Sequence, residues 1–210
     1  ILCHRQRLLR RAYGAPRTVT LGTAGSSLTW GSTNFAPTTL VLNAATANSK
    51  LTLANAINLN GATRTITVNA NTAEITGAIT GTGAGLNKIG DGTLILSGAT
   101  NTYDGATAVT GGELAVKGTL KNTLSVDGAT ITPTIGSGSL TVNSELTPGT
   151  AMSMANASAY GWEIGAAGTS NIIVTGDLSI TGTPTLRVIG IDGTKPVAAT
   201  VYDIINYTGA

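Results

Sequence analysis

The side chains that could do chemistry are few, and their spacing limits what they could do. The acidic residues are Glu74, Asp91, Asp104, Glu113, Asp127, Glu145, Glu163, Asp177, Asp192 and Asp203. Four of them open an Asp-Gly pair, at 91–92, 104–105, 127–128 and 192–193. An Asp before Gly bonds its own backbone and suits a tight turn, so turn chemistry is the first reading. The second is a carboxylate pair for glycoside hydrolysis, which needs two carboxyls about 5–9.5 Å apart. Stacked turns could bring two Asp-Gly corners together. Such a site would also want aromatic platforms and basic partners, which this sequence offers sparingly.

Serine is common, but the single histidine, His4, stands in the first few residues beside the single cysteine, Cys3. No histidine follows to activate a serine, so a Ser-His-Asp arrangement is not expected. One His and one Cys at a terminus make a poor metal site, and one Cys allows no disulfide within the chain. The stretch GTGAGLNKIGDG (81–92) has Gly and Asp, but not in the tandem spacing of calcium-binding nonapeptides. It precedes no helix N-terminus and is not a phosphate loop. No catalytic, cofactor-binding or metal-ligating residue is assigned from the sequence. Tyr103, Tyr160, Trp162, Tyr202 and Tyr207 could stack on sugars if they faced solvent; the reading preferred here is that they cover corners or cap an end.

Around these residues the composition is unusual. Charged residues make up 10% of the 210, and aromatics 4%. Glycine contributes 28 residues, and threonine outnumbers it. The apolar content is Ala, Val, Ile and Leu, which suits a narrow core of stacked aliphatics better than a sandwich filled by aromatic rings. There is no run of 18 apolar residues, so no membrane-spanning helix is expected. Arg5, Arg7, Arg10, Arg11 and Arg17 concentrate basic charge in residues 1–17, and residues 18–210 carry a net −3. That body has no basic stripe to neutralise phosphates, so nucleic-acid binding is not expected. Residues 1–17 read as a basic N-terminal arm or a non-native leader, and 18–210 as one repeat domain.

The elements that must position everything else are short strands. LVLN (40–43), KLTLAN (50–55), RTITVNA (64–70), GTLILSG (92–98), ELAVKG (113–118), TLSVDG (123–128), SLTVNS (139–144) and NIIVTG (171–176) each alternate apolar and polar residues and close on Gly, Asn or Asp. That is a strand followed by a turn. Ile57, Ile66 and Ile75 fall nine residues apart, and Leu94 and Leu114 twenty apart. The only segment with another rhythm, AMSMANASAYG (151–161), reads as a loop with a short strand. Self-similar segments whose turns bend the chain rather than reverse it predict an all-β parallel solenoid of roughly nine rungs, about 20 residues each. Alternation points Leu94, Leu96, Leu114, Val116, Leu124, Val126, Leu140 and Val142 inward.

The stretch GDGTLILSGATNTYDGATAVTGGELAV (90–116) resembles the autotransporter-associated β-strand repeat of bacterial surface and secreted proteins. The resemblance rests on Gly92, Leu94, Leu96, Gly98, Asn101, Tyr103, Gly105, Thr107, Val109, Gly111, Gly112 and Leu114. One extra residue intrudes near Thr100. ELTPGTAM (145–152), GDLSITGTPTLRVIG (176–190) and YDIINYTGA (202–210) look like the closing section of such regions. The resemblance implies a right-handed parallel β-helix, extracellular or cell-surface exposure, and a structural or adhesive role without shared catalytic residues or cofactors. Expected partners are other copies, joined end to end as surface filaments, or other surface proteins and glycans. The competing class is a polysaccharide-acting β-helix lyase or hydrolase.

Overall fold

The computed structural model describes residues 8–10, 12–23, 25–98, 100–116, 118–133, 139–143, 150–155, 157–165, 168–190, 195, 197 and 205–208. Every regular element among them is a strand. The alternating segments do form the strands, because a period of two gives each one apolar face to bury. Two or three strands per turn wind the described residues into a parallel β-helix of eight turns.

The first strand of each turn builds an eight-stranded parallel sheet: Leu8–Arg10, Leu40–Leu42, Arg64–Thr67, Leu86–Ile89, Thr107–Val109, Leu124–Asp127, Thr150–Ala155 and Asp177–Ile180. The second strands build another: Arg17–Val19, Leu51–Leu53, Thr72–Ile75, Thr93–Leu96, Glu113–Val116, Thr130–Pro133, Ala159–Gly165 and Thr185–Gly190. The third strands come in two sections. Leu28–Thr29, Ile57–Asn58 and Ile79–Thr80 form the first, and Gly118–Leu120, Ser139–Asn143, Asn171–Thr175 and Ile205–Tyr207 the second. Among the described residues the one antiparallel pairing between strands is the hairpin of Gly168–Thr169 on Ala159–Gly165.

Register stacks like on like. On the second sheet Leu51, Ala73, Leu94, Leu114, Ile131, Tyr160 and Leu186 follow one another as direct partners. Leu94, Leu96, Leu114, Val116, Leu124 and Val126 are all buried, as alternation required. Each such side chain contributes about 1.5–3 kcal/mol. The side chains of Leu140 and Val142 lie outside the described residues, as do Cys3, His4, Glu145, Asp192, Tyr202 and Asp203.

Four details differ from the sequence expectation. The described residues form eight turns rather than nine, and the turns vary: Leu8 pairs with Leu40, Leu86 with Thr107, Thr107 with Leu124, and Leu124 with Met152. Early turns are long because the chain makes excursions between strands, one of which folds Trp30 and Phe35 inward, edge to face at 5.3 Å. The segment 151–161 is not a loop. It supplies most of Thr150–Ala155 and the start of Ala159–Gly165, with Met152 and Met154 buried at alternate positions and the corner between them turned by Ala157 at φ 58°. Tyr103, Tyr160 and Trp162 do not cover corners from outside; all three lie within the core. Strand pairing also crosses the boundary drawn at residue 17, since Arg17–Val19 pairs with Leu51–Leu53 and Leu8–Arg10 with Leu40–Leu42.

Candidate functional site

The corners decide which side chains reach the surface. At Asn-x-Tyr-x-Gly (101–105) the chain leaves the second sheet without a regular third strand. Asn101 replaces backbone with side chain: its Oδ1 accepts the Ile79 amide at 3.0 Å, and the Thr102 amide donates to the Ile79 carbonyl at 2.8 Å. Tyr103 turns inward, its hydroxyl 2.7 Å from the Thr107 hydroxyl, and burial pushes its phenol above the ordinary range. Gly105 passes the turn below so closely that an added Cβ would stand 2.5 Å from the Ala84 backbone. Each residue of the motif therefore serves the rung-to-rung approach.

Two earlier corners use the same device. Buried Asn55 accepts the Leu21 amide and donates to the carbonyls of Leu21 and Ser26. Asn43, at φ 61°, accepts the Ala12 amide and donates to the carbonyls of Ser49 and Thr72. These amides satisfy backbone groups that the turning chain leaves unpaired.

Lys88 is the functional-looking residue that the sequence reading passed over. It occupies an inward column of the first sheet, between Ile66 and Val109, and is 0% exposed. Its ammonium reaches the next corner and donates to the carbonyls of Gly90 (2.8 Å), Gly111 (2.9 Å) and Ile89 (3.2 Å). Burial pushes it down to about 8, opposed by Asp91 and Glu113. Because the ammonium joins two successive corners, its geometry is that of a clamp.

Glu74, Asp104 and Glu113 are engaged by hydrogen bonds or an ion pair, and Asp91 and Glu113 share Lys88 as an electrostatic partner. Partial burial pushes the Glu74 carboxyl up, but Lys50, in an ion pair, and the Ser97 hydroxyl outweigh it and hold Glu74 below its usual range. Such a group stays ionised at neutral pH and is no general acid. Glu113 accepts from the hydroxyls of Thr93, one turn before, and Thr132, one turn after. Asp104 accepts the Gly83 amide across a different corner. Asp91 precedes the second-sheet strand of its turn, and Asp127 ends the first-sheet strand two turns later. Two rungs separate them by about 10 Å along the axis. No group of three or more His, Cys, Asp or Glu side chains among the described residues could hold a metal ion. Among the described residues no helix is long and apolar enough to cross a membrane.

What the coil presents outward is a ladder of short polar groups. Thr65, Asn87, Ala108, Ser125, Ser153 and Ser179 are consecutive partners on the outer side of the first sheet. Their spacing is that of the strands, about 4.8 Å. None of the six carries a charge; five offer a hydroxyl or an amide and Ala108 a methyl, and Asp127 lies on the same outer side two residues from Ser125.

Comparison with known proteins agrees with this geometry. Residues 86–116 match the passenger-associated transport repeat. The chain is 41% identical over 103 residues to the adhesin BmaC autotransporter of Brucella suis biovar 1 (strain 1330), a match covering 49% of this chain and 3% of that protein. The chain thus spans a small fraction of the relative it matches. No solved structure matches. The matched repeat includes the Lys88 corner, the Asn101–Gly105 corner and the strands that Leu94 and Leu114 anchor. The segment Leu86–Val116, set within a parallel β-helix, is thus similar to a passenger-associated transport repeat.

Proposed function

We propose that the chain is a non-enzymatic, extracellular or cell-surface adhesive module of a bacterial protein, whose partners are surface proteins or glycans met by the outer faces of the coil. The observation that carries this reading is the ladder from Thr65 to Ser179, uncharged over six turns and polar in all but Ala108. An array of hydroxyls and amides at strand spacing suits contact with another extended polymer, where many weak hydrogen bonds add by multivalency. The matched repeat and the adhesin relative support the same role. The reading also includes end-to-end self-association into surface filaments.

The test uses the purified chain coated on beads and presented to cultured epithelial cells and to extracellular-matrix glycoproteins. The triple variant Asn87→Arg, Ser125→Arg, Ser153→Arg keeps the inward columns intact, so it should melt like the parent and lose most of the binding. Equal binding by the triple variant removes the ladder from the mechanism. Release of reducing ends or unsaturated sugars from common polysaccharides by the parent, abolished in Glu74→Gln or Asp104→Ala, would establish the enzymatic reading instead.

A further inference from the structure

The outer sides of the first and second sheets use their polar groups differently. On the second sheet, acids and hydroxyls bond one another across turns. Glu74 takes the Lys50 ammonium from the turn before and the Ser97 hydroxyl from the turn after. Glu113 takes the hydroxyls of Thr93 and Thr132 in the same way. On the first sheet, Thr65, Asn87, Ser125, Ser153 and Ser179 succeed one another with Ala108 between them, all partly or fully exposed. The side chains of these five make no hydrogen bond to another described residue. A ligand can therefore take them without breaking a bond of the fold.

Three features narrow what that ligand is. The first is charge. Two residues further along the same strands stand Thr67, Ile89, Asp127 and Ala155. Across the residues of these two columns the one ionised side chain is Asp127, so an anionic polymer would meet an anion and no cation. The second is the lack of anchors. Neither column holds a Trp, Tyr or Arg, the side chains that dominate the energy of protein–protein contacts. The third is the step. The ladder climbs about 4.8 Å per turn, about 24 Å from Thr65 to Ser179. That is close to the advance per sugar of an extended β-linked polysaccharide, so each turn meets a sugar of its own.

We infer that the outer side of the first sheet binds an uncharged, extended polysaccharide laid along the coil axis, one sugar per turn. This rests on the adhesive reading proposed above and names the ligand of that face. Each contact exchanges a hydrogen bond to water for one to a sugar, so it gains little alone. Without an aromatic platform, affinity comes from the number of turns engaged, and binding depends on the length of the glycan.

An array of β-linked glucose and N-acetylglucosamine chains of two to eight sugars tests it, with hyaluronan pieces of the same lengths as the acidic counterpart. The probes are the full chain, the ladder variant Asn87→Ala, Ser125→Ala, Ser153→Ala, Ser179→Ala, and a variant of the other outer face, Thr52→Ala, Thr72→Ala. All six side chains point out of the core, so both variants should keep the circular dichroism and melting of the parent. The parent should bind neutral chains of six or more sugars about tenfold or more tighter than pairs. It should ignore hyaluronan and bind equally at 0.05 M and 0.5 M NaCl. The ladder variant should lose this binding and the second-sheet variant keep it. Binding of hyaluronan as tightly as of neutral chains, affinity independent of length, or a ladder variant that binds as the parent does each overturns the inference. A parent that binds no neutral chain overturns it as well. If bead adhesion then still depends on the ladder, the adhesive reading stands with a protein as its partner.

Discussion

At the scale of single residues, the coil is held by buried polar groups whose geometry sets their worth. Asn55 uses three hydrogen bonds to tie a corner to the turn before it, whereas Asn101 makes one through Oδ1 and its Nδ2 has no partner. Removing an amide that satisfies several buried backbone groups strands each of them, at about 1–3 kcal/mol apiece. Asn55→Ala should therefore cost about 3 kcal/mol or more and Asn101→Ala about 1–2, read from urea unfolding of the two variants. Equal losses would mean that neither corner depends on its side-chain bonds. Lys88 gives a pH dependence. Burial lowers it to about 8, while an unfolded lysine titrates near pH 10.4. Below pH 8 both states are charged and the cost of burying the ammonium is fully present. Between pH 8 and 10.4 the unfolded chain keeps a proton that the folded chain has released, so stability rises through this window. Relative to Lys88→Met, which cannot titrate, the parent should gain about 3 kcal/mol between pH 7.5 and 10.5. A constant difference would show that the three carbonyls keep the ammonium charged. None of this was legible beforehand: Lys88 follows polar Asn87, and only register reveals it in a column of aliphatics.

At the scale of elements, alternation was an accurate guide wherever a strand had one dry face. Leu94 and Leu114, twenty residues apart, are direct partners on successive turns, so their spacing was a true rung repeat. The nine-residue spacing of Ile57, Ile66 and Ile75 was not: these residues lie in strands of the third, first and second faces. The same short interval thus measures the step between faces, which a single sequence does not distinguish from a step between turns. The segment 151–161 misled because Met and Ala are weak strand formers, and tertiary packing of Met152 and Met154 overrode that preference. Turn lengths were hidden for a related reason, since the excursion carrying Trp30 and Phe35 has no alternating pattern. Glycine corners leave no room for a side chain. Gly112 sits at φ +59°, and a Cβ there would stand 2.4 Å from the Gly92 carbonyl oxygen of the turn below. Gly112→Ala must both strain the backbone and push two turns apart, so it should cost more than about 2 kcal/mol in a thermal melt. Melting within a degree of the parent would show that the corner can relax.

At the scale of the whole molecule, a solenoid has no distant contacts, and each turn is stabilised by its two neighbours. The candidate face follows from this: its ladder was not apparent from the sequence, because Thr65, Asn87, Ala108, Ser125, Ser153 and Ser179 come together only through register across six unequal turns. The same one-dimensional order makes the effect of a mutation depend on position along a column rather than on residue type. Leu114 and Leu186 belong to one column of the second sheet, with identical side chains and the same inward direction. Leu114 has a turn on either side and is fully buried, whereas Leu186 has one neighbouring strand among the described residues and is half exposed. A charge at position 114 must enter the core without a partner, which costs several kcal/mol. A charge at position 186 can stay in water, where surface substitutions change stability by about 0.5 kcal/mol. Leu114→Asp should therefore abolish the cooperative melt of the central turns, while Leu186→Asp should leave it within a few degrees of the parent. Hydrogen exchange gives the finer reading: protection should be highest around Leu94–Val126 and fall toward Thr185–Gly190 in the dilute monomer. If Leu186→Asp unfolds the chain as Leu114→Asp does, the coil melts as one block and Leu186 is part of its essential core. If the two differ as argued, stability is set turn by turn along each column, by how many neighbouring turns cover a side chain.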